Sequence, residues 1–280
     1  MPELLSDFLT REQPKIAHII GRSVLPVAGK CIIAGAPKSN KSFLVLNVML
    51  ALAQGHNIFD ACYDNKMPVL PVAKRFRVLF IEQELGPYGL KDRLVALVGT
   101  LPKPMDFFIK TKDMGMRLDT PEGRKLIWDE VAACKPDVVI FDPLAKFHLS
   151  DENSAQQMGA VMRAGDRLIE EFKCAVIYIH HTGKENFEHP RHGGDRLRGS
   201  SAIFADCDTL MEVTRLSKGH IKEPILKLSF ELRRGEPIDP IIVQRLRDGR
   251  VIYKGENFTY GEGSSNTVSR PSREQPYKDL

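Results

Sequence analysis

Gly35, Lys41 and Ser42 stand at the spacing of a phosphate-binding loop: a glycine, four intervening residues, one further position, then Lys-Ser. The run Gly35, Ala36, Pro37, Lys38, Ser39, Asn40, Lys41, Ser42 follows the apolar stretch Cys31-Ile32-Ile33-Ala34 and leads into the apolar segment Phe43 to Gln54. Strand, loop and helix therefore arrive in the order such a loop requires. Asn40 occupies the position of the second glycine in the pattern. A phosphate loop turns its backbone N–H groups inward and needs positive φ at one or two residues, and after glycine, asparagine tolerates positive φ among the best. Asn40 is thus expected to substitute for glycine. Lys41 is then placed to reach the β- and γ-phosphates of a nucleotide, Ser42 to hold Mg²⁺, and the helix N-terminus to face the anion.

In a doubly wound sheet the ligand lies outside the carboxyl ends of the strands, so polar residues that close apolar runs are the next candidates. Val138-Val139-Ile140-Phe141 ends in Asp142, a carboxylate placed to hold the hydration shell of Mg²⁺ beside Ser42. Val78-Leu79-Phe80-Ile81 ends in Glu82-Gln83-Glu84, where one carboxylate could orient or deprotonate an attacking water. Alternation puts Glu82 and Glu84 on the same side of a continuing strand and so does not choose between them. Val176 to Ile179 ends in His180-His181, a pair placed to sense a γ-phosphate from a neighbouring strand.

The elements that must position these residues follow from periodicity and punctuation. Helices are expected at Leu4 to Thr10, Phe43 to Gln54, Leu90 to Val98, Pro121 to Ala133 and Ser154 to Phe172, with Pro121 opening one and Gly55 ending another. Strands are expected at Arg77 to Glu82, Phe107 to Ile109, Asp137 to Phe141 and Cys174 to Ile179, alternating with those helices. That alternation predicts an α/β fold with a mostly parallel twisted sheet and helices on both faces. From Thr209 the runs Leu210 to Val213, Ile225 to Phe230, Ile241 to Gln244 and Val251 to Tyr253 are closely spaced and predict an antiparallel C-terminal extension. The expected organisation is an N-terminal arm over 1–25, one ATPase domain over 26–258, and a disordered tail over 259–280, where apolar residues are few.

Composition bounds the class. With 280 residues, 42% hydrophobic and 27% charged, the chain suits one large globular domain. No apolar run approaches the ~20 residues of a membrane-spanning helix, and no secretory layout opens the chain, so no membrane partner and a cytoplasmic location are expected. Five scattered cysteines without Cys-x-x-Cys spacing predict reduced thiols. A net charge of +4 permits nucleic-acid binding without demanding it.

The stretch Phe141-Asp142-Pro143-Leu144-Ala145-Lys146-Phe147-His148, then Asp151-Glu152-Asn153, His180-His181 and Arg198-Gly199-Ser200-Ser201, resembles the RecA-like core of plasmid RepA-type hexameric replicative helicases. Replicative helicases of the DnaB superfamily and RecA-type ATPases are similar more distantly. The resemblance spans Gly29 to Gly249 and implies ATP hydrolysis with Mg²⁺, coupled to movement on single-stranded DNA by a homo-oligomeric ring with sites between subunits. By that resemblance Glu84 is the catalytic carboxylate, Asp142 the Walker B acid and His180 the polar sensor.

Ring ATPases also need an arginine from the neighbouring subunit to neutralise charge on the transferred phosphoryl group. Glu231-Leu232-Arg233-Arg234-Gly235 is similar to the Lys-x-Arg-x-Gly turn of DnaB-type helicases and assigns that role to Arg233, with Glu231 where Lys is usual. In the RepA-type pattern the finger follows the Arg-Gly-Ser-Ser segment, a place held here by Asp208. Two loops are expected to meet DNA through Lys146 and His148, and through Lys184, Arg191, Arg196 and Arg198. A primase or initiator would then supply loading or priming. Two other readings of the residues remain open here: a recombinase-like repair ATPase that does not unwind, and a nucleotide-binding module whose hydrolysis Asn40 impairs.

Overall fold

The computed structural model describes residues 4–10, 17–63, 67–98, 105–183, 202–217, 219 and 221–256. In chain order the first elements are α1 (Leu5–Thr10), β1 (His18–Ile20), β2 (Leu25–Pro26), β3 (Lys30–Gly35), α2 (Lys41–Gln54), β4 (Ile58–Tyr63) and β5 (Met67–Leu70). Then come β6 (Val78–Glu82), α3 (Gly86–Val98), β7 (Phe107–Thr111), α4 (Pro121–Cys134), β8 (Val138–Asp142), α5 (Ala155–Phe172) and β9 (Ala175–His181). The last are α6 (Ala202–Ala205), β10 (Thr209–Arg215), β11 (Ile225–Leu232), β12 (Ile241–Arg245) and β13 (Val251–Glu256).

Nine strands form one sheet in the order β13-β12-β11-β10-β3-β9-β8-β6-β7. From β10 to β7 every neighbouring pair is parallel, and β11, β12 and β13 continue antiparallel. The central strands β3, β6 and β8 are buried at every residue, as strands covered on both faces must be, which explains their unbroken apolar runs. One face packs Leu44, Val45, Val48 and Leu52 of α2 with Leu90 of α3 against Ile33, Val78, Phe80, Ile140, Ile177 and Ile179. The other face packs Ile127 and Val131 of α4 with Val161, Met162 and Leu168 of α5 against Ile32, Leu79, Val139, Phe141, Val176 and Tyr178. Helix starts follow local chemistry: Thr120 accepts from Gly123 N ahead of Pro121, and Ser154 accepts from Gln157 N.

The α/β fold with its mostly parallel sheet and antiparallel extension agrees with the sequence reading. Three details differ. β10 is not part of the antiparallel extension alone: it lies parallel beside β3, Thr209 opposite Cys31 and Val213 opposite Gly35, because only a central position buries Leu210, Met211 and Val213. The β4–β5 hairpin, which punctuation did not reveal, stands between α2 and β6. Residues 18–26 form the β1–β2 pair, and Ile19, Ile20, Val24 and Leu25 are part of the main core. Among the described residues Cys31, Cys134, Cys174 and Cys207 are unbridged. The tail over 259–280 lies outside the described residues.

Candidate nucleotide site

The carboxyl ends of β3, β9, β8 and β6 lie side by side, because parallel strands all run out at the same edge. The loop after β3 is shaped by its backbone. Asn40 sits at φ 70, ψ 19, in the left-handed region, as its place in the motif predicts, and Lys38 is also left-handed at φ 63. A Cβ on Gly35 would meet Val213 O at 2.5 Å and Ser39 Oγ at 2.9 Å, so only glycine fits at the loop's entry. Ala36, Pro37 and Lys38 are exposed, Ser39 and Lys41 buried, Asn40 and Ser42 half-buried. The Asn40 side chain makes no cap to α2, and Ser39 Oγ is buried with no hydrogen-bond partner among the described residues. Uncapped first-turn N–H groups, an orphaned buried hydroxyl and a cradle closed to any Cβ fit a phosphate chain.

Lys41 Nζ donates to Gly35 O at 2.5 Å and Ala36 O at 3.0 Å. Burial lowers its pKa to about 8, against the opposing pull of Asp142 and Glu84. Asp142 closes β8 and is 5% exposed. Burial, reinforced by Glu84 and then Glu82, pushes its carboxyl up to about 7, while Lys41 and Arg93 act the other way. Those mutual effects place Lys41, Asp142, Glu84 and Arg93 in one electrostatic neighbourhood. Among the described residues no group of three or more His, Cys, Asp or Glu forms a metal cage of its own. A hydroxyl and one carboxylate are what Mg²⁺ takes from a protein when phosphates and water complete its shell, so Ser42 and Asp142 fit that ion.

The structure separates the two glutamates that alternation left equal. β6 ends at Glu82, which is fully buried, whereas Glu84 is exposed in the turn that follows. Of the pair, only Glu84 is exposed to solvent.

At β9 the structure seats His181, and not His180, on the P-loop side. His180 shares the face of Val176 and Tyr178, packed toward α4 and α5, while His181 shares the face of Ile177, Ile179 and α2. His181 Nδ1 lies 3.5 Å from Lys41 Nζ. His180, the expected sensor, alternates onto the other face of the strand, with Val176 and Tyr178. Applying alternation from Ile179 with the face of α2 as reference would have found His181. The sequence reading also passed over Arg93. It lies on α3, 4.9 Å over the ring of Phe43, which is also met at 4.8 Å by Arg245.

Arg233 falls at the opposite end of the sheet. Leu232 pairs with Thr209, and Thr209 with Cys31, so Arg233 stands beside the start of β3, roughly 15–20 Å from this chain's own loop at about 3.3 Å per strand residue. Its guanidinium donates to Ala205 O and its side chain is exposed, at the rim of a cleft bordered by Phe204, Phe230 and Pro237.

Of the expected DNA contacts, Lys146 is exposed on the segment after β8, at the same edge as the phosphate loop. His148 is 5% exposed, with Nδ1 3.1 Å from Ser150 O. Phe147 packs edge-on against Phe141 and pulls the segment inward, and Asp119 holds Leu149 N and Ser150 N at 2.7 and 3.0 Å. Lys184, Arg191, Arg196 and Arg198 lie outside the described residues. Among the described residues no helix is long and apolar enough to cross a membrane.

Residues 1–186 match the family described as the AAA domain. Among solved structures, a KaiC-like protein from the hyperthermophilic archaeon Pyrococcus horikoshii superposes with a TM-score of 0.55 at 10% identity, over 82% of this chain and 91% of that one. At that identity the likeness shows the fold alone, of RecA-like P-loop type.

Proposed function

The chain belongs to the AAA domain family, and on that premise we propose that it hydrolyses ATP with Mg²⁺ to drive movement on single-stranded DNA, as one subunit of a hexameric ring of the RepA/DnaB helicase type. The observation that carries the reading is the gathering of Lys41, Ser42, Asp142, Glu84 and Arg93 at one sheet edge around a loop that only glycine can enter. Lys41 leaves the Gly35 and Ala36 carbonyls for the β- and γ-phosphates, exchanging neutral acceptors for charged ones. Ser42 and Asp142 would hold Mg²⁺, which when bound would supply charge neutralisation along the phosphates. Glu84 orients the attacking water and takes its proton, and His181, beside Lys41, senses the γ-phosphate. Asn40, already left-handed, favours a working loop over an impaired one.

Arg233 supports the ring. As a finger, Arg233 would serve a neighbour's phosphate, since it stands far from its own loop. Lys146, exposed at the loop edge, supports a phosphate-tracking contact with DNA that is sequence-tolerant and salt-sensitive.

The test is Mg²⁺-dependent ATP hydrolysis with and without single-stranded DNA, with Lys41→Ala as the blank. Stimulation by DNA is expected; hydrolysis indifferent to DNA would remove the motor reading, and stimulation without strand separation would leave a non-unwinding repair ATPase. Mixing Arg233→Ala with Lys41→Ala protein should restore turnover that neither has alone, since each supplies what the other lacks. No recovery in mixed assemblies would remove Arg233 from the site.

A further inference from the structure

Glu82 is a fully buried carboxylate that the mechanism above does not use. Its partners are all backbone. Oε1 accepts from Glu84 N at 2.6 Å and from Leu85 N, and Oε2 accepts from Gly86 N at 2.8 Å. These are donors at the entry to α3, which a helix cannot satisfy from within itself. Both carboxylate oxygens already accept from backbone N–H groups. The main chain around it is tied as firmly: Lys112 N donates to Glu82 O at 2.9 Å and Gln83 N to Asp142 O at 2.9 Å. The Gln83 side chain donates to Asp113 O at 2.6 Å. The turn that carries Glu84 is therefore fastened on one side to the end of the Asp142 strand, on another to the end of β7, and from beneath to the Glu82 carboxylate. The Lys112 side chain passes close over Gly86, its Cε 2.5 Å from where a Cβ there would stand.

We propose that Glu82 is the positioning residue for Glu84: by gripping the N–H groups of residues 84 to 86, it fixes the point from which the Glu84 carboxylate reaches the attacking water. The inference rests on the reading of Glu84 as the base. A general base must stand within hydrogen-bond reach of its proton, and a displacement of about 1 Å can cost on the order of 100-fold in rate. Glu82→Gln keeps size but turns an acceptor into an NH₂ that faces backbone N–H groups, so one arm of the grip is lost.

The experiment is a double-mutant cycle on the full chain with Mg²⁺-ATP, reading kcat, KM and the affinity for a fluorescent ATP analogue. In the wild-type background Glu82→Gln should lower kcat roughly 10- to 100-fold while KM and analogue affinity move less than about threefold. In the Glu84→Gln background the same change should add almost nothing, because the group it positions is gone. Equal losses in both backgrounds, or an unchanged kcat, would overturn the proposal. Should Glu84→Gln alone leave hydrolysis intact, the reading of Glu84 fails first, a result distinct from additivity. If Glu82→Gln does not fold, Glu82→Asp carries the same cycle, since it keeps the charge and withdraws it by one methylene.

Discussion

Lys30 and Lys41 bracket the same strand and are equally buried, 6% exposed each, yet the fold treats them in opposite ways. Lys30, at the start of β3, meets Asp166 at 2.6 Å and also Asp206, and although burial works to lower its pKa, the hydrogen bonds to those carboxylates raise it on balance. Lys41, beyond the other end, meets carbonyls, and burial takes its pKa down to about 8. A buried cation given its own counter-charges is part of the scaffold. A buried cation that hydrogen-bonds carbonyls, with its carboxylates at a distance, is held ready for a charge that arrives from outside.

The sharpest way to break this comparison is to remove each lysine in turn. Lys41→Ala should lower ATP turnover by on the order of 10²–10³-fold or more, as the loss of a charge that stabilises the phosphoryl transfer implies, with the urea midpoint unchanged or raised. Lys30→Ala should leave turnover per folded molecule near wild type and cost about 1–3 kcal/mol of stability, a modest figure because Asp166 and Asp206 remain partly solvated. The comparison fails if the two effects exchange places.

The pH dependence should carry opposite signs. Lys41 holds fewer protons folded than unfolded between about 8 and its usual 10.5, so its contribution makes the protein more stable as pH rises through that window, by on the order of 3 kcal/mol. Lys30, with a raised pKa, stabilises fully below 10.5 and loses that contribution as pH climbs through its folded value. Denaturation curves of Lys41→Met and Lys30→Met against wild type, taken from pH 7 to 11, separate the two slopes.

The smallest effect belongs to Asn40. Because it already stands at φ 70, Asn40→Gly should change kcat by no more than about two- to threefold, the few tenths of a kcal/mol that separate the two residues in such a conformation. A rise of tenfold or more would mean that the natural loop is hindered, and would move the readiness of this end of the strand from Lys41 to its neighbour.

Much of the site was legible because it is local. The loop from Gly35 to Ser42 is one contiguous segment whose φ requirements fall on named residues, and Asp142 is marked by the apolar run it closes. The helices were legible to within a few residues, since Thr120-Pro121, Ser154 and Gly55 are signals read within one turn. The β4–β5 hairpin was not, because its register is irregular and Phe59 takes a left-handed φ of 67 that no sequence signal marked. His148 was expected to meet DNA, and its burial follows from the packing of Phe147 beside Phe141, which no local signal marks.

By itself, then, the sequence determined that a strand, a loop of phosphate-binding spacing and a helix follow one another, that Asp142 closes an apolar strand, and that the sheet is mostly parallel. Only the tertiary structure decided that Glu82 grips a turn while Glu84 faces out, that His181 rather than His180 lies beside Lys41, that β10 enters the parallel core, and that Arg233 stands at the far end from its own loop. The reason is the same in each case. A motif is written in residues that are neighbours along the chain, whereas the face a strand-end side chain takes, and the end at which an antiparallel strand delivers its last residue, depend on partners that only folding brings alongside.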